Sequence, residues 1–76
     1  MIEKNIAVSV SSEYITLGQF LKLAKIIRSG GEEKAYLATH EIAVNGEKEI
    51  RRGRKLRVKD VIVIEGKSYQ ICSSNV

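Results

Sequence analysis

Six of the nine residues in Arg51-Arg52-Gly53-Arg54-Lys55-Leu56-Arg57-Val58-Lys59 are basic. The rest of the chain carries seven Lys/Arg against nine Asp/Glu, so the net charge of +4 is a local +6 set against a mildly acidic remainder. A charge concentrated this way suits docking to an anion, and phosphate-rich RNA leads the ligand classes it fits. The guanidinium groups of Arg51, Arg52 and Arg54 can each grip a phosphate through two parallel N–H bonds, whereas Lys55 acts as a point charge. A solvated loop, an acidic protein partner or DNA would be served by the same residues, and charge alone does not separate these readings.

Groups suited to covalent or acid–base chemistry are few. His40, Asp60, Ser29 and Cys72 are the candidates. None has a partner fixed by spacing, and no Cys/His pattern has zinc spacing. The expectation is a chain with no catalytic residues, no metal and no cofactor. A single cysteine cannot form an internal disulfide, which points to a reducing, cytoplasmic setting. No stretch approaches the ~18 apolar residues of a membrane helix, and Met1 to Ile6 lack the apolar core of a signal peptide.

The elements that must position the basic run come next. A chain of 76 residues makes one domain with a small core, burying about 60% of its unfolded surface, so shallow recognition surfaces are favoured over a deep pocket for a small-molecule substrate. Ile6 to Val10 alternate as a half-buried strand. Thr16 reads as a helix N-cap, Gln19 completes a capping box and Ile15 sits as a hydrophobic staple. The helix is expected from about 17 to 28, with Leu17, Phe20, Leu21, Ala24 and Ile27 as its apolar stripe. Lys22, Lys25 and Arg28 fall outside that stripe. Leu23 and Ile26 also lie off it and leave room for a dimer contact.

Gly30 and Gly31 are expected to end the first helix. Ser29 and Glu32 suggest a second capping box opening a helix of about 32 to 39, with Lys34 near its start. The two glycine N–H groups could also contact a phosphate through the backbone. Ile42 and Val44 then alternate before Asn45-Gly46, the strongest short hairpin signal, and Glu47 to Glu49 begin the return strand. In the basic run, Leu56 and Val58 are expected to face inward, with Lys55, Arg57 and Lys59 outward. Lys59-Asp60 reads as a turn, Val61 to Ile64 as a central strand, Glu65 to Lys67 as a turn, and Ser68 to Cys72 as a last strand with Tyr69 and Ile71 on one face. Ser73 to Val76 read as a frayed tail.

This order resembles the S4 RNA-binding domain over about residues 15 to 65. The stretches that carry the likeness are Thr16-Leu17-Gly18-Gln19-Phe20-Leu21-Lys22, Ile42-Ala43-Val44-Asn45-Gly46 and Lys59-Asp60-Val61-Ile62-Val63. Ser29 to Lys34 and Val44 to Leu56 are similar, more closely, to the small stand-alone S4 proteins of Gram-positive bacteria, the YaaA type. The resemblance implies an α+β fold: a single S4-like (alpha-L) domain over residues 1–76, a helical hairpin packed on a small, mainly antiparallel sheet, with added N- and C-terminal strands. It implies an RNA-binding protein that engages ribosomal RNA or a ribosomal subunit during large-subunit maturation; a non-catalytic protein, acting as a monomer, is expected. The alternative is a module docking its basic face on an acidic protein. Many S4 domains carry Arg at the position of Thr16, Asp at Gly18, Arg at Gly30 and Gly at His40. The cations left to carry binding are Lys22, Lys25, Arg28, Lys34, Arg51, Arg52, Arg54 and Lys55.

Overall fold

In the computed structural model, residues 5–74 are described. Among them are seven strands and two short α-helices: β1 (Ile6–Val10), β2 (Ile15–Thr16), α1 (Leu17–Leu23), a 3-10 turn (Gly30–Glu32), α2 (Glu33–Thr39), β3 (Ile42–Val44), β4 (Glu47–Lys48), β5 (Lys55–Leu56), β6 (Val61–Ile64) and β7 (Lys67–Ser73). A five-stranded sheet runs in the order β1-β7-β6-β3-β4, antiparallel except for the parallel pairing of β1 with β7. A separate ribbon joins β2 to β5, pairing Ile15 with Leu56 and Thr16 with Lys55.

Alternation builds the core. Val8 and Val10, Tyr69 and Ile71, Ile62 and Ile64, and Ile42 and Val44 are buried at every second strand position, as a sheet with one covered face requires. They form one cluster with Leu17, Phe20, Leu21 and Ile27 of the first helical segment, Leu37 of α2 and Leu56 of the ribbon. Phe20 meets Tyr69 edge to face at 5.4 Å, a geometry that aromatic quadrupoles favour. β6 lies in the middle of the sheet, as the run Val61 to Ile64 predicts.

Two turns follow from backbone chirality. Asn45 and Gly46 have φ of 52° and 87°, and Glu65 and Gly66 have 48° and 86°. Each pair closes a two-residue hairpin whose positive φ values match the right-handed twist of its strands.

The first helix is shorter than its periodicity suggests. It stops at Leu23, because Lys25 takes φ 63°. The Ile26 N–H then donates to the Leu21 carbonyl (2.9 Å) and the Lys25 N–H to the Lys22 carbonyl (3.0 Å), the bond pair of a Schellman stop. Lysine occupies the position where glycine is usual, so Gly30 and Gly31 do not end this helix. They begin the 3-10 turn, and Ser29 makes no side-chain cap there; the second capping box is absent.

Val58 is 41% exposed rather than inward, since β5 ends at Leu56 and the chain then turns. Ser73 closes β7 and the Ser74 N–H donates to the Val10 carbonyl (3.0 Å). The expected frayed tail therefore starts no earlier than residue 75, and residues 75 and 76 lie outside the described residues.

Candidate nucleic-acid interface

The basic run is organised around one acid. Glu49 is 6% exposed, and its carboxylate takes four hydrogen bonds from the loop that follows. Arg51 donates its Nε (2.9 Å), its Nη2 (3.1 Å) and its backbone N–H (3.0 Å), and Arg54 donates Nη1 (2.9 Å). The Arg51 side-chain bonds, aided by its backbone N–H and by Arg54, hold the Glu49 carboxyl down at about 2 against the opposing effect of burial. The same contact pushes the Arg51 guanidinium up. Glu49 also donates its N–H to the Ile42 carbonyl (2.8 Å), which anchors the clasp to β3.

This geometry tempers the charge without burying it. Glu49 cancels one positive charge of the loop, yet the side chains of Arg51 and Arg54 remain 72% and 29% exposed. A guanidinium has five N–H donors. Arg51 gives two of them to Glu49 and Arg54 gives one, so each keeps donors for an outside phosphate. The Arg54 N–H closes the turn on the Arg51 carbonyl (3.2 Å), and Arg52 stands exposed at its tip. Arg51, Gly53, Arg54, Lys55, Arg57 and Asp60 line an open depression.

The loop is bolted to the first helix. Leu17 donates its N–H to the Arg54 carbonyl (2.8 Å), and Gly18 donates to the Arg52 carbonyl (2.9 Å). These are N–H groups that a helix start leaves without internal acceptors. The Thr16–Gln19 capping box satisfies two more at 3.0 and 3.2 Å. Glu33 of α2 packs over Gly18, where a Cβ would meet its carboxylate, and reaches Lys22 at 3.9 Å. Gly18 is thus the point where loop, α1 and α2 meet, and an Asp at this position would confront Glu33.

The other end of the loop is fixed by Asp60 and Asn45. Asp60 accepts from the Arg57 N–H (2.8 Å) and the Asn45 amide (3.1 Å), while the Asn45 side-chain oxygen accepts from the Val61 N–H (3.0 Å). The hairpin tip is thereby hydrogen-bonded to the far end of the basic run.

The cations expected from sequence divide by position. Arg51, Arg52, Arg54 and Lys55 share the loop. Lys22 stands one helical turn from Gly18, with its side chain 43% exposed. Lys34 lines a depression with Lys48 and Ile50, where the loop begins. Lys25 lines a different depression, with Tyr36, Glu65 and Lys67, beyond the end of α1 remote from the loop. Arg28 is exposed in the connection after α1. Gly30 lies beside both Lys22 and the Glu33 carboxylate, and Gly30 and Gly31 open the 3-10 turn.

Two residues of this surface escape the sequence reading. Lys55 and Arg57 lie 4.9 and 5.8 Å from the ring centre of Tyr14. Arg57 belongs to the expected outward-facing set but not to the expected binding set, and Tyr14 belongs to neither. Only the β2–β5 pairing brings these side chains together, and no local period announces it.

The candidates for catalysis lie in separate settings. His40 stacks on Tyr36 at 3.8 Å, with Nε2 3.6 Å from Glu65. Asp60 is occupied by backbone and amide donors. Cys72 is half-buried and points its thiol at the Gln70 carbonyl. Among the described residues, no group of three His, Cys, Asp or Glu side chains is placed to hold a metal, and no helix is long and apolar enough to cross a membrane.

Comparison with known proteins places this geometry in context. The profile of the S4 domain matches residues 8–72. The chain is also similar to the "Probable ribosome maturation protein RlbA" of Bacillus subtilis (strain 168): 57% identity over 65 residues, covering 84% of this chain and 92% of that protein.

Proposed function

The chain belongs to the S4 domain family, and on that footing we propose that it is a non-catalytic RNA-binding protein acting in ribosome maturation. The partner is structured ribosomal RNA or a ribosomal subunit, most specifically the large one, and the protein engages it as a monomer. The observation that carries this reading is the Glu49 clasp. It ties Arg51 and Arg54 to one carboxylate, uses only two donors of the first and one of the second, and leaves Arg52 exposed between them. The likeness to the ribosome maturation protein of Bacillus subtilis supports the ribosomal setting.

The mechanism is backbone and shape recognition. A-form RNA hides its major groove from side chains, so a small protein meets it through phosphates, 2′-hydroxyls and exposed loops. Lys22, Lys34, Arg51, Arg52, Arg54 and Lys55 supply phosphate contacts around Gly18. Pre-ordered arginines lose less side-chain freedom on binding than mobile ones do. An acidic protein partner would use the same surface and is separated by nuclease treatment. Tagged protein should co-sediment with ribosomal subunits and be released by ribonuclease. Co-purification of a partner that survives complete RNA digestion would overturn the reading in favour of a protein partner.

A further inference from the structure

The outer face of the β2–β5 ribbon carries an aromatic ring among cations. Ile15 pairs with Leu56 and Thr16 with Lys55; Leu56 is fully buried and Ile15 packs against the core. Side chains alternate along a strand, so Tyr14 and Thr16, with Lys55 and Arg57, fall on the opposite face. Tyr14 is 37% exposed, and Lys55 and Arg57 approach its ring at 4.9 and 5.8 Å. The ring also lines an open groove against α1 together with Gln19, Lys22 and the half-exposed Leu23. Lys22 and Glu13 stand in this groove as one cation and one carboxylate, and Lys22 also reaches Glu33 at 3.9 Å; Lys55 and Arg57 approach the Tyr14 ring from the neighbouring depression. Gln19 spends its side-chain oxygen on the Thr16 N–H, so its NH₂ group is not used in the capping box.

We infer that Tyr14 is a stacking platform for an unpaired RNA base, with Lys55, Arg57 and Lys22 holding the phosphates on either side. This rests on the RNA-binding reading above and deepens it. An exposed ring beside two cations, with Lys22 along the same groove, matches a nucleotide in both parts: the base has a π-face for the ring, and its flanking phosphates meet the positive groups. The cations lean on the ring in the free protein through cation–π attraction, and a phosphate draws them off it as the base arrives. Recognition of an extruded base is also the route by which proteins obtain selectivity on RNA, since paired A-form bases are out of reach.

The test uses the full chain and two fluorescein-labelled RNA stem-loops, identical except for a single bulged adenosine in one. At fixed salt the wild-type protein should bind the bulged RNA about tenfold more tightly, the factor supplied by stacking one base on an aromatic ring. Tyr14→Phe should keep that preference. Tyr14→Leu should lose it. Replacing the bulged adenosine by an abasic nucleotide should remove the preference with the wild-type protein, which makes the test independent of any variant's folding. Equal binding of both RNAs by the wild type, or a preference that survives Tyr14→Leu, would overturn the inference while leaving salt-dependent binding to the paired stem intact. Absence of salt-dependent binding to either RNA would overturn the RNA-binding reading and the inference with it.

Discussion

The Gly18 N–H donates to the Arg52 carbonyl at 2.9 Å, so the start of the first helix and the tip of the arginine loop are joined through main-chain atoms. The loop's direction is therefore set by backbone, and Arg52 stands exposed at its tip. Glu49 finishes the arrangement from the other side by clamping Arg51 and Arg54.

The clamp makes stability depend on acid. The folded-state pKa of Glu49 is about 2 against an ordinary 4.5. A depressed carboxyl stabilises the fold fully above its unfolded value and loses that contribution as pH falls through its folded value. The urea midpoint should therefore decline as pH is lowered from about 4.5 towards 2. Glu49→Gln should have a lower midpoint at neutral pH and a visibly flatter decline over that window. Parallel curves for the two proteins would show that the clamp does not stabilise the fold.

Lys25 offers a gain in stability. Its left-handed conformation costs a side-chain-bearing residue ~1–2 kcal/mol, partly offset by the greater unfolded-state freedom of glycine. Lys25→Gly should stabilise the fold by about 0.5–1 kcal/mol, which raises Tm by roughly 2–8 °C in a domain this small. RNA affinity and its salt dependence should not change, because Lys25 sits beyond the far end of α1 from the loop. Thermal unfolding followed by circular dichroism, with a binding titration beside it, checks both halves.

Arg52 and Arg54 should behave differently. Arg52→Ala should reduce the salt slope of binding by about one and leave stability within about 0.5 kcal/mol. Arg54→Ala should weaken binding as well and also destabilise the fold by about 1 kcal/mol, through the lost charge-assisted bond to a buried carboxylate. Denaturant titrations that show equal stability losses for the two variants would contradict the division of roles.

What was legible in the sequence is what local rules encode. Thr16 with Gln19, Asn45-Gly46 and the run Val61 to Ile64 each announce their structure through spacing or a required φ. The helix end was illegible because the left-handed stop carries lysine, and the glycines that looked like its cap open the next turn. Glu49 read as a return-strand residue, since a carboxylate bonded at i+2 and i+5 around an irregular loop leaves no periodic trace. Tyr14 stayed hidden because its partners lie some forty positions along the chain, across a ribbon of two residue pairs. Of the binding surface, the loop cations were legible from charge alone, whereas the separate placement of Lys25 needed the Schellman stop to be seen.

The most direct test is the salt dependence of binding to ribosomal subunits. If the loop and the neighbouring lysines neutralise about five phosphates, log K should fall against log salt with a slope of roughly −3 to −5. The variant Arg51→Glu/Arg52→Glu/Arg54→Glu should bind far more weakly, with most of that slope gone. An unchanged affinity and slope in the triple variant would contradict the account, because the arginine loop would then lie outside the binding surface.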